Sequence, residues 1–120
     1  MASSSVRIAS AALLGLLLMS CSSILEAIPE PSGPAPSLAA VAAELRRVAA
    51  EAKLPDPLEF GGPIEAAPVT VAPWIICLRS ATPGPARPTY ALFYRDAKLV
   101  SWRFSAIVDR CEEQTFSPLN

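Results

Sequence analysis

TYALFYRDAKLVSWRFS, residues 89–105, reads as a β-hairpin. When residues 89–95 and 99–105 pair antiparallel about Asp96, Ala97 and Lys98, Tyr94 faces Val100, Leu92 faces Trp102 and Tyr90 faces Phe104. The opposite face pairs Ala91 with Arg103, Phe93 with Ser101 and Arg95 with Leu99. One face is then apolar and aromatic. Sliding the register by one residue sets Tyr90 against Arg103 and Leu92 against Ser101 and scatters the apolar set over both faces. A three-residue hairpin loop favours glycine in its left-handed position, so the pattern places a small strain at Lys98.

Upstream, Trp74-Ile75-Ile76-Cys77-Leu78 is a continuous apolar run too short for a helix. It fits a central strand covered on both sides, with Pro73 at its start. Residues 80–88 hold three prolines and a glycine and read as a surface loop. Residues 55–68, with Gly61-Gly62-Pro63, show no period and read as a connector with turns. A phosphate loop would need a strand before it, a helix after it and a placed lysine, and that context is missing. Residues 37–54 are the clearest helix. Ser37 can cap it, Leu38, Val41, Leu45, Val48 and Ala52 share one face, and Pro55 stops it. Glu44 to Arg47 and Arg47 to Glu51 are spaced for weak ion pairs. The polar side of this helix is mixed in sign, which favours packing on a sheet over binding a membrane surface.

The first twenty residues differ in kind. Arg7 is followed by a mostly apolar run over residues 8–19 and then by Ser20-Cys21-Ser22-Ser23, the anatomy of a signal peptide. A run of about twelve residues is shorter than the roughly twenty a membrane-spanning helix needs. Leu18-Met19-Ser20-Cys21 resembles the lipobox of bacterial lipoproteins, although Met19 is larger than that pattern prefers. The resemblance implies cleavage before Cys21, diacylation of its thiol and, in many Gram-negative bacteria, acylation of the new amine with a further chain such as palmitate. Each buried methylene contributes about 0.8 kcal/mol, so two or three chains hold a protein persistently. In such lipoproteins an aspartate after the cysteine retains the protein in the inner membrane. Ser22 stands there instead, which implies a periplasm-facing protein of the outer membrane. The competing expectation is an ordinary cleaved signal and a soluble periplasmic protein.

The cysteine count agrees with this resemblance. Three cysteines leave one spare in an oxidising compartment, and acylation of Cys21 would leave Cys77 and Cys111 as an even pair, expected to form a disulfide. Zinc would use about four Cys and His ligands, and the chain has no histidine. The expected organisation is therefore a signal peptide (1–20), a lipidated, Pro- and Ser-rich tether (21–36), a helix (37–54) and a stapled β-rich part (55–120), with 37–120 as one domain. The expected fold class is α+β, one N-terminal helix on a three- to four-stranded antiparallel meander with one disulfide. PWIICLRS, YALFYRD and IVDRCEEQTF resemble the C-terminal region of uncharacterised small lipoproteins of Gram-negative bacteria. The order of elements also resembles the helix-then-meander arrangement of small outer-membrane assembly lipoproteins, which implies a fold and no function.

Charge and chemistry narrow the function classes. Without Arg7 the ten basic residues become nine against eleven acidic ones, a balance of minus two. No basic surface for nucleic acid is advertised. Lacking histidine, the chain has no Ser/His/Asp or Cys/His nucleophile system, and Lys53 and Lys98 lie in no Ser-x-x-Lys motif. Glu112 and Glu113 are adjacent, which on an extended chain points them apart, and they read as a solvated turn. No cofactor, metal or catalytic residue is expected. Arg79, Arg95 and Arg103 form the candidate interaction surface, with local pairing to Asp or Glu as the plainer role. Trp74, Trp102, Tyr90 and Phe104 form a second candidate patch, with core packing as theirs. The expected role is a noncatalytic, lipid-anchored envelope protein that contacts another envelope protein. A periplasmic small-ligand-binding or hydrolytic domain using Asp and Arg residues is the alternative.

Overall fold

The computed structural model describes residues 31–84 and 87–120. The expected signal peptide, Cys21 and most of the expected tether lie outside the described residues. Within the unit Pro31–Asn120 the fold is α+β, with one helix and five antiparallel strands. The helix α1 (Leu38–Glu51) is followed by β1 (Leu58–Glu65), β2 (Trp74–Ser80), β3 (Thr89–Arg95), β4 (Lys98–Phe104) and the short β5 (Ser117–Pro118). In space the strands run β4-β3-β2-β1-β5.

α1 begins where Ser37 Oγ accepts the Ala40 N–H at 3.3 Å. Val41, Leu45, Val48 and Ala49 are buried, and Leu38 and Ala52 pack at the margin, as the three- and four-residue spacing dictates. The helix ends at Glu51, three positions before Leu54. Lys53 turns left-handed (φ 58°), the Lys53 N–H donates to Ala50 O, and the Leu54 N–H donates to Ala49 O. This turn satisfies the last carbonyls and folds Leu54 back onto the core. Of the expected pairs on α1, Arg47 to Glu51 forms at 2.8 Å, whereas Glu44 accepts from the Tyr94 hydroxyl at 3.0 Å.

Two expectations are corrected. Residues 58–65 are a strand rather than connector, and with the short β5 the sheet has five strands where three or four were expected. The alternation of β1 is hidden because Gly61-Gly62-Pro63 forms a bulge: Gly61 pairs with Cys77, and pairing resumes at Ile64 with Ile75. Gly62 has φ 100°, and a Cβ there would lie 2.8 Å from Ile75 O. A Cβ on Gly61 would lie 2.9 Å from that of Gln114, so both glycines admit close neighbours. The hairpin keeps the expected pairs Tyr90 with Phe104, Leu92 with Trp102, Ala91 with Arg103 and Phe93 with Ser101. Its turn differs, because Asp96 and Ala97 are both left-handed (φ 51° and 60°) and close a two-residue loop. Tyr94 therefore faces Leu99, Arg95 faces Lys98, and Val100 becomes the extra residue of a bulge. Lys98 carries no left-handed strain; Ala97 does.

The two faces of the sheet are covered differently. α1 packs over Leu58, Ile76, Leu78, Tyr90, Leu92 and Tyr94, with Leu119 beside them. On the reverse, Ile75, Cys77, Ala91 and Phe93 are buried together with Cys111, Ala66 and Ala72. β4 and β5 lie on opposite edges, so residues 105–116 cross that reverse face. They do so through two short 3₁₀ turns, Ile107–Asp109 and Cys111–Glu113. The Cys77–Cys111 disulfide, with Cα atoms 5.7 Å apart, fastens the middle of this crossing to the central strand. The crossing ends where β5 pairs with β1 and the Leu119 N–H donates to Leu58 O at 2.9 Å.

Candidate functional site

Strand alternation puts Arg79, Arg95 and Arg103 on the crossing side of the sheet, since they share parity with Cys77, Phe93 and Ala91. The structure does not gather them into one cluster. Arg79 closes the end of β2, where it pairs with Glu59 on β1 and lies 3.6 Å over the Phe116 ring. Arg103, on β4, donates to both carboxylate oxygens of Asp109, at 2.9 and 3.4 Å, and stands 4.9 Å from the Phe93 ring centre. Arg95 closes the other end of β3, opposite Lys98.

Asp109 gives Arg103 its meaning. This carboxylate is fully buried, and besides Arg103 it accepts the Ala106 N–H at 2.9 Å. A buried charge is tolerated only when paired and hydrogen-bonded, and here the pairing ties the start of the crossing to β4. Arg110, left-handed at φ 58°, donates from Nη2 to Glu65 O and ties the middle of the crossing to β1. Glu112 and Glu113 are exposed, as a solvated turn requires. Sequence reading missed Asp109 as an internal partner because six residues separate it from Arg103 through an irregular turn.

The open edge is a different surface. β4 is outermost, and its outer side pairs with no strand among the described residues. Phe104 is 67 % exposed and stacks on Tyr90 with ring centres 4.7 Å apart; Trp102 meets Tyr90 edge-on at 5.6 Å. Just past the strand, Ile107 is 86 % exposed, and Val108 and Val100 add to the apolar surface. Tyr90 and Trp102 thus pack into or against the core, whereas Phe104, in the same alternation, stays outside it. Trp74 is part-buried and donates from Nε1 to Ser32 O at 3.0 Å, so the last part of the expected tether is seated against the start of β2. Ser32 also donates to Glu65.

Tyr94 joins the two layers. Burial, and then the hydrogen bond to Glu44 and that carboxylate's charge, push its phenol well above the ordinary tyrosine range. Among the described residues no three His, Cys, Asp or Glu side chains are grouped to hold a metal, and no helix is long and apolar enough to cross a membrane. No protein-family model, curated protein or solved structure matches the chain.

Proposed function

We propose that the chain is a lipid-anchored protein of the cell envelope whose domain acts by contact with another envelope protein rather than by catalysis. The observation that carries this reading is the unequal use of three cysteines. Cys77 and Cys111 consume each other, which leaves Cys21, placed directly behind an apolar run, as the thiol available for acylation. With Ser22 beside it, the anchor belongs in the outer membrane with the domain facing the periplasm.

The contact surface in this reading is the β4 edge. An unpaired strand flanked by exposed Phe104, Ile107 and Val100 offers both backbone hydrogen bonds and apolar area to a protein partner. Two experiments test the parts separately. The intact mass of the mature protein should correspond to a chain starting at Cys21, acylated, and two hydrogens lighter for the disulfide; an unmodified Cys21 removes the anchor. A photo-crosslinking residue at position 104 or 107 should give a discrete adduct with an envelope protein, while one at Arg46 should not. Equal labelling from all three positions removes the contact surface.

A further inference from the structure

Proline fixes its own φ and has no N–H to give to a ladder, and three of the six residues in Pro31-Ser32-Gly33-Pro34-Ala35-Pro36 are proline. The stretch accordingly joins no strand. Between Pro31 and Pro36 no backbone group bonds to another backbone group among the described residues. It is seated by side chains instead. Trp74 Nε1 donates to two successive carbonyls, Ser32 O at 3.0 Å and Gly33 O at 3.3 Å, and the Ser32 hydroxyl donates to the Glu65 carboxylate. Glu65 stands opposite Trp74 in the β1–β2 ladder, so one pair of facing residues supplies both attachments. Gly33 is left-handed at φ 66°, and a Cβ there would lie 3.0 Å from Asp96 Oδ1 in the β3–β4 turn. Pro36 is buried just before the cap of α1.

Attachments that are few, lie at the surface and share no hydrogen bond with the sheet's own ladders open at lower free energy than the core. The prolines restrict the released chain as well, so seating it again costs less backbone entropy than other residues would. We propose that residues 32–36 are a clasp that opens and closes on Trp74 and Glu65 without unfolding the sheet. Closed, residues 22–31 lie between Cys21 and the first attachment; open, residues 32–36 join them and add up to about 17 Å at full extension. One anchor then gives the domain two reaches. That consequence for reach rests on the lipid anchor proposed above; the clasp itself does not.

The test is hydrogen exchange, read by NMR on the full, disulfide-bonded chain, at the Trp74 indole N–H and at the amide of Leu92, which is fully buried in the sheet. The indole should be protected, with a protection factor about a hundredfold or more below that of Leu92, as local opening requires. Gly33→Val places a β-branched residue at a left-handed φ and should speed exchange at Trp74 about tenfold. Ser32→Ala removes one hydrogen bond and should speed it about threefold. Neither should change Leu92. Gly84→Val is the control, because a Cβ there meets nothing within 4 Å, and should change neither group. The proposal is overturned if the parent's Trp74 indole is unprotected, if it exchanges only with Leu92, if both variants leave it unchanged, or if Ser32→Ala speeds Leu92 equally. The intact mass bears on the anchor alone, so anchor and clasp fail separately.

Discussion

The helix-covered face and the crossing-covered face of the sheet bury comparable strands by unlike means. α1 brings a regular stripe of Val41, Leu45, Val48 and Ala49, and its cohesion comes from apolar packing. The crossing is irregular and presents few apolar residues of its own, chiefly Cys111 and Phe116. It is held instead by point attachments: a disulfide, the buried Asp109 with Arg103, and Arg110 on Glu65 O. A cover without periodicity buries too little apolar area to stay by packing alone, so specific bonds take that role.

The comparison breaks most readily at the disulfide. Replacing Cys77 and Cys111 together by alanine should cost about 3–4 kcal/mol. Hydrogen exchange should show residues 107–118 losing protection before α1 does; simultaneous loss would mean that the two covers are one cooperative unit. Leu45→Ala probes the other face and should cost about 2–4 kcal/mol, read from denaturant midpoints, with protection lost first in α1. Asp109→Asn keeps the shape of the buried side chain and removes the charge that holds Arg103. A destabilisation of about 1–2 kcal/mol is expected, because Arg103 is itself partly exposed and can return to water.

Tyr94→Phe should cost about 1 kcal/mol by deleting the bond to Glu44. It also changes the alkaline profile. Because the folded phenol titrates above the unfolded one, its contribution is complete below the unfolded value of about 10 and is lost as pH rises from there towards the folded value. The parent protein should therefore lose stability above about pH 10 more steeply than the phenylalanine variant in thermal melts. Ala97→Gly, which relieves a left-handed alanine in the turn, is the smallest change, a gain of about 0.5–1 kcal/mol.

The same contrast explains what the sequence could convey. α1, β2 and the β3–β4 register were legible because their burial follows a regular period or a continuous apolar run. β1 was hidden because Gly61-Gly62-Pro63 interrupts its alternation with a bulge. The turn at Asp96-Ala97 was misjudged by one residue, since neither residue is the glycine that left-handed geometry favours. The pairing of Cys77 with Cys111 followed from the thiol count only once the lipobox resemblance had set Cys21 aside. Asp109 with Arg103, and the exposure of Phe104, depend on how an aperiodic segment crosses the sheet, and no local pattern encodes that path.

The seating of Ser32 against Trp74 gives the domain a direction. Trp74 stands in register with Tyr94 and Leu99 at one pole of the sheet, while Phe104 stands with Tyr90 and Leu78 at the other. The two rows are four residues apart along β2 and β3, which at the rise of a strand separates them by about 13 Å. Ser32 thus meets the sheet at the pole remote from its exposed aromatic ring, and a pull on the N-terminal side would bear on Trp74 before it reached the Phe104 pole.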